Sequence, residues 1–240
     1  MLHHDAVGPR YGRAAVSAVL RPHQGRPQRL LVVVAHPRDA ELALAGSVAR
    51  WVAEGSLARL VCCTSGDGRA ADAGADPLEL AATREREQRE AAALVGYGSL
   101  TFLHRPEGAL ANDLALREQL VREIRSFRPD AIATHDPRVI VSDDGYVNHV
   151  DHRECGAAAV DAAAPAAANA MAFPSLVRSE GLKPHVVSRL YLFWSERPRV
   201  AVDISDQLET KQRAIAAHAS QAPRTAGETV EPFALIELRS

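Results

Sequence analysis

Two short clusters carry most of the chemistry that can be read from the chain. Ala35-His36-Pro37-Arg38-Asp39-Ala40-Glu41 offers an imidazole and two carboxylates, and His149-Val150-Asp151-His152 offers two imidazoles and one carboxylate. Two neutral imidazoles and a carboxylate, with a fourth position open to water, match a catalytic zinc site rather than a closed structural one. Taken singly, each cluster has an ordinary explanation. A His-Pro after a strand is usually just a turn, and Asn148 followed by Asp151 also reads as an N-cap with a capping-box-like carboxylate. The metal reading depends on the fold bringing the two clusters together.

The elements around them do so. Leu30-Leu31-Val32-Val33-Val34-Ala35 is a continuous apolar run, the pattern of a strand buried on both faces of a parallel sheet. A helix over about 41–54 follows and ends at Gly55. Further strands are expected at Ala58–Thr64, Ser99–Leu103 and Asp130–Thr134, with helices over Pro77–Val95 and near Asp113–Phe127. Strict alternation of strand and helix predicts an α/β fold: a doubly wound, Rossmann-like, mostly parallel sheet with helices on both faces. In the strand order 3-2-1-4, strands one and four flank the topological switch point, and the loops after them share one crevice. The loop after strand four runs for about fourteen residues, long enough to suggest function. No G-x-G-x-x-G follows the first strand, which disfavours a dinucleotide.

The remaining segments are read more coarsely. Residues 1–28 carry scattered Gly and Pro without periodicity and suggest an extended arm. The catalytic domain is expected over 29–221, with an Ala/Pro-rich, partly mobile flap at 162–184, strands near 188–194 and 199–203, and a last helix near 206–219. The tail, 222–240, is expected to be irregular. At 240 residues, 47% hydrophobic and 24% charged, the chain reads as globular. A net charge of -2 argues against a nucleic-acid partner and for a small-molecule substrate. Three cysteines make no disulfide framework, and no run of about 18 apolar residues appears, so a cytoplasmic protein without a membrane span is expected. The chain is compatible with a homo-oligomer.

At the level of motifs the resemblance is specific. Ala35-His36-Pro37-Arg38-Asp39 resembles the Ala-His-Pro-Asp-Asp motif of the PIG-L/LmbE-like N-acetylglucosaminyl deacetylases, and His149–His152 resembles their His-x-Asp-His motif. Leu80-Ala81-Ala82-Thr83-Arg84 is similar to the family's Arg-containing helix, Pro106-Glu107-Gly108 to its Pro-Asp-Gly turn, and Lys211–Gln221 to its closing helix. The resemblance implies zinc-dependent cleavage of an N-acetyl or N-acyl amide on an amino sugar or related conjugate. It implies His36, Asp39 and His152 as the Zn2+ ligands. It also implies His149 as an imidazolium that stabilises the oxyanion or protonates the leaving amine, with Asp151 orienting it.

One position departs from the family. The first Asp of its motif is taken as the general base, and this chain has Arg38, which has no lone pair to offer at neutral pH. Three readings follow. Zinc alone lowers the pKa of its water toward about 7 and Glu41 or Asp144 takes the proton; or Arg38 anchors a carboxylate or phosphate of an unusual substrate; or the chain binds metal without hydrolysis. Arg84 and Tyr146 are candidate substrate contacts, and His218 reaches the site if the closing helix delivers it. Cys155 is expected to be packed rather than reactive. A non-haem iron oxygenase shares the two-His-one-carboxylate set, but its usual His-x-Asp spacing and jelly-roll scaffold do not match this pattern.

Overall fold

The computed structural model describes residues 20–68, 74–221 and 223–239. An eight-stranded sheet runs in the order β1-β7-β8-β6-β5-β2-β3-β4. Its first half is built from β2 (Arg29–Val34), α1 (Asp39–Ala53), β3 (Leu57–Thr64), α2 (Pro77–Val95), β4 (Ser99–Arg105), α3 (Leu114–Phe127) and β5 (Ala131–His135). These strands are all parallel, and β2 lies between β3 and β5, so the expected 3-2-1-4 order and its switch point are present.

Strand β2 explains the two-sided burial its sequence predicted. Leu30, Val32 and Val34 join one core with Leu44, Trp51 and Ala91 from α1 and α2, while Leu31, Val33 and Ala35 join a second with Leu116, Leu120 and Ile124 from α3. Successive side chains of a strand point to opposite faces, so a run with no polar position needs a layer of helices on each. Helix ends are also local in origin. Asp76 accepts from Leu78 N–H and Asp113 from Leu116 N–H, giving α2 and α3 their N-caps.

After the 136–149 loop come α4 (Val150–Asp161), a π-turn at Ala162–Ala166 and α5 (Pro174–Arg178). The expected flap at 162–184 is packed instead. Ala162, Ala163, Ala167 and Leu176 are buried, and the guanidinium of Arg125 donates to the carbonyls of Ala166, Ala167, Asn169 and Ala172. One buried cation therefore satisfies four carbonyls of a segment whose sequence looked featureless.

Strands β6 (Arg189–Phe193) and β7 (Val200–Asp203) and helix α6 (Leu208–Ala216) follow. The expected irregular tail contains β8 (Val230–Glu237), which pairs antiparallel with both β6 and β7. Pro232 sits inside that strand, and a proline there argues against strand assignment from sequence. Glu231 fixes β8 to the body: it pairs with Lys211 Nζ at 2.6 Å and accepts from Gly46 and Ser47 N–H, all buried. Of the expected N-terminal arm, residues 1–19 lie outside the described residues; Arg21–Pro22 forms β1 against β7. Among the described residues, no helix is long and apolar enough to cross a membrane.

Candidate metal centre

The first cluster occupies the turn from β2 into α1. His36 follows the strand and Asp39 opens the helix, with Asp39 Oδ2 accepting from the His36 N–H at 2.8 Å. The second cluster opens α4, so its carboxylate and second imidazole point from a helix N-terminus toward the same crevice. Gly156 makes the approach possible. A Cβ there would collide with the His135 carbonyl at the end of β5, so only glycine lets α4 seat this closely.

The result is one tight group. His36 Nδ1 lies 3.4 Å from Asp39 Oδ2 and His152 Nε2 lies 3.6 Å from Asp39 Oδ1. Donor atoms of His36, Asp39 and His152 all fall within 4.8 Å of one another. The outer nitrogens are engaged elsewhere: His36 Nε2 bonds Asp151 at 3.0 Å and His152 Nδ1 bonds Asn148 Oδ1 at 3.3 Å. Both rings thus turn their remaining nitrogen toward the carboxylate, which is how second-layer partners orient metal ligands. The donor set fits a divalent cation.

The charges agree with that geometry. Burial opposes ionisation of Asp39, but His152, His135 and His36 outweigh it and hold its carboxyl well below the usual range. Burial likewise opposes a charged His36, yet the bonds to Asp151 and Asp39 raise it to about 10. The site therefore holds a positive charge next to Asp39 even as the bare protein, in the place a cation would take.

Asp151 lies near His149, as expected, but its shorter contacts go elsewhere. Its Oδ2 accepts from Gly108 N–H at 2.6 Å and bonds His36, and its Oδ1 accepts from Leu110 N–H at 3.1 Å, while His149 Nδ1 is 3.9 Å away. His149 Nδ1 accepts instead from the Asp151 N–H, as the N-cap of α4. Burial, then His36 and His152, push His149 below its ordinary value, and the N–H it accepts at Nδ1 leaves Nε2 as the ring's outward nitrogen.

The other expected residues divide. Arg38 is the N-cap of α1 with a left-handed backbone, φ 80, and its N–H donates to Gln88 Oε1. Arg84 donates to the Gly66 carbonyl and lies 3.6 Å from Glu107 Oε2. Tyr146 is half-buried in the turn that Ser142 and Asp144 close. His218 is not at the site surface: its side chain is fully buried, 3.3 Å from Glu41 Oε2. Glu41 is also fully buried and accepts from Gln88 Nε2 at 2.8 Å. Cys155 is buried with its Sγ 3.7 Å from that of Cys63.

Three residues were missed. His135 stacks on His152 at 4.3 Å, accepts from Ala35 N–H and sits 3.4 Å from Asp39; burial and His152 push it down to about 3. Its signal was His-Asp at the end of strand four, echoing His36 at the end of strand one. Trp194, just past β6, packs on both rings at 5.2 and 5.3 Å. Glu107 holds Arg84, takes Gly68 N–H and approaches His36 Nε2 at 4.0 Å.

Comparison with known proteins settles the lineage. The family model "PIG-L: GlcNAc-PI de-N-acetylase" matches residues 31–163, more than half of the chain and the span that carries both clusters. The chain belongs to the PIG-L family. Among PIG-L relatives it is 28% identical over 209 residues to a diacetylchitobiose deacetylase of Thermococcus kodakarensis, covering 86% of this chain and 74% of that one. It is 28% identical over 233 residues to a 1D-myo-inositol 2-acetamido-2-deoxy-alpha-D-glucopyranoside deacetylase of Mycobacterium sp. (strain KMS), covering 80% and 74%. The solved N,N'-diacetylchitobiose deacetylase of Pyrococcus horikoshii superposes with a TM-score of 0.80 at 25% identity, over 88% of this chain and 84% of that one. This PIG-L protein is a hydrolase of the N-deacetylase and amidase class.

Proposed function

We propose that the protein removes an acyl group, in the first instance acetyl, from the amine of an amino sugar or related small conjugate, with zinc held by His36, Asp39 and His152. The observation that carries this reading is the pair of imidazole nitrogens facing Asp39 while their outer nitrogens are tied to Asp151 and Asn148. Two imidazoles and one carboxylate favour zinc over the harder Mg2+ or Ca2+. The relatives' substrates support the substrate class, since those named carry N-acetyl groups on amino sugars.

Zinc in this set supplies a Lewis acid that polarises the acyl carbonyl and lowers the pKa of a water to about 7. The chain's own residues do the rest. Asp151 fixes the His36 ring and Asn148 the His152 ring. His149, its Nδ1 occupied by the Asp151 N–H, can offer its Nε2–H as a hydrogen bond to the carbonyl oxygen as charge develops there. Trp194 packs against both His135 and His152 and helps hold their rings in place. Arg38 supplies positive charge where relatives supply a base, so solvent carries the proton from the attacking water to the departing amine.

The test compares zinc-loaded and chelator-treated protein on N-acetylglucosamine and diacetylchitobiose, with released primary amine as the readout. Release that requires zinc and disappears in Asp39→Ala is expected. Arg38→Asp is expected to raise the rate, by up to roughly a hundredfold, the lower end of what a positioned acid or base contributes. No amine from any N-acyl sugar with zinc bound, in the parent and in Arg38→Asp alike, overturns the reading.

A further inference from the structure

The turn that carries Asp39 is held from behind by a chain of buried polar groups. Arg38, the residue before Asp39, has a left-handed backbone with φ 80, a conformation that a residue with a side chain keeps only where its surroundings fix it. The bond from its N–H to Gln88 Oε1, at 2.8 Å, does the fixing. Gln88 is fully buried on α2, and its Nε2 donates to Glu41 Oε1 at 2.8 Å. The other oxygen of Glu41 faces His218 Nε2 at 3.3 Å; both side chains are fully buried, and among the described residues neither atom has a hydrogen-bond partner elsewhere. His218 Nδ1 stands 3.5 Å from Gln221 Nε2.

The chain of groups has a direction. A carboxylate only accepts, so Glu41 obliges Gln88 to present its NH2 and leaves the amide oxygen for Arg38; the reversed amide would set NH2 against the Arg38 N–H. The same rule makes Nε2 the donating nitrogen of His218. Each link belongs to a different element: Arg38 and Glu41 lie at the start of α1, Gln88 within α2, and His218 two residues past α6. The segment past α6 is clamped a second time, because Glu87 accepts from Ser220 N–H and Ser220 Oγ, both at 2.7 Å.

We propose that His218 and Gln88 are positioning residues: through Glu41 they hold the Arg38 turn in its left-handed form and so set where Asp39 stands between His36 and His152. Cutting the relay lets the turn relax and swings the Asp39 carboxylate away from the two imidazoles. The proposal deepens the hydrolase reading above and rests on it for Asp39 as a zinc ligand.

Zinc affinity, measured by competition with a chromophoric chelator, tests this without turnover. His218→Leu and Gln88→Leu are each expected to weaken zinc binding about tenfold, the lower end of what a group that orients a metal ligand contributes. His218→Gln, whose amide can still donate to Glu41, should recover most of that loss. Ser220→Ala should lower the melting temperature yet keep zinc affinity within twofold of the parent, because it loosens the same segment without cutting the relay. The double variant is the most decisive: with Gln88→Leu in place, adding His218→Leu should weaken zinc no further. Amide exchange in the metal-free protein follows the turn itself, and the Arg38 N–H should exchange about tenfold faster or more in His218→Leu, with circular dichroism confirming the fold. Parent-like zinc affinity and Arg38 exchange in His218→Leu overturn the proposal, as do losses that simply add in the double variant or a Ser220→Ala loss as large as that of His218→Leu. Should His218→Leu fail to fold, Gln88→Leu decides alone, and zinc affinity within twofold of the parent overturns the proposal. The hydrolase reading fails separately: relay-dependent zinc affinity without amine release removes hydrolysis and leaves the positioning, whereas zinc-dependent release with unaltered affinity in both variants does the reverse.

Discussion

Replacing Asp151 by Asn keeps the shape of the side chain and removes one acceptor from a group that uses every one it has. The native carboxylate takes Gly108 N–H at 2.6 Å, Leu110 N–H at 3.1 Å and His36 Nε2 at 3.0 Å. An amide has one oxygen, so its NH2 must face either Leu110 N–H or both Gly108 N–H and the imidazole, and at least one contact becomes donor against donor. Where the loss falls on His36, its other nitrogen is no longer held toward Asp39. Carboxylates that orient a ligating imidazole are typically worth 10- to 100-fold in metal affinity, about 1.4–2.8 kcal/mol. Where it falls on a backbone N–H, the cost appears as stability, roughly 1–3 kcal/mol for an unsatisfied buried donor. Zinc affinity by competition with a chromophoric chelator and thermal melting of the metal-free protein separate the two. A tenfold or greater weakening of zinc binding is expected in Asp151→Asn. Zinc affinity within twofold of the parent, with an unchanged melting temperature, would refute the claim that Asp151 positions His36.

Zinc affinity should climb as pH rises from about 6 to about 9, because the cation must displace a proton that His36 holds to about 10; chelator competition across that range checks it, and a flat profile counts against the raised value. The same proton stabilises the metal-free fold in full below the ordinary histidine value of 6.5, and that contribution disappears as pH rises through about 10, so the melting temperature of the metal-free protein should fall over this window. Gln88→Leu strips partners from Arg38 N–H and Glu41 in a buried position. A loss of about 2 kcal/mol is expected, a fall in melting temperature of roughly 4–8 °C for a chain of this length. Glu231→Leu leaves Lys211 and two helix N–H groups without their acceptor, and chemical denaturation should show a loss of roughly 3–5 kcal/mol; an unchanged midpoint would mean that the pair contributes nothing.

The parts of this protein that sequence made legible are those where local pattern and topology coincide. The unbroken apolar run Leu30–Ala35 on β2 demanded two helix layers, and alternation with α1, α2 and α3 set the strand order that joins His36 to His152. What stayed hidden depends on contacts between distant residues. Sequence proximity pointed Asp151 at His149, and it could not show that the shorter contact crosses from α4 to the β2 turn. His218 looked available because nothing near it in sequence announces the buried Glu41. The 162–184 segment gave no sign of its order, since that comes from Arg125 on α3. Strand β8 was masked by Pro232 and by a glutamate whose partner stands twenty residues earlier.

Strand β8 also has a consequence for how the chain is made. It is the link between β6 and β7 in the sheet, yet it is synthesised after both. While the ribosome proceeds, β2 to β5 can assemble and β6 can dock on β5, but the far edge of β6 stays open and β7 has no place to go. At about 5–20 residues per second the interval between completing β6 and completing β8 is on the order of a few seconds. For that time the nascent protein presents Arg189–Phe193, an apolar strand with unpaired backbone, to whatever strand or chaperone meets it first.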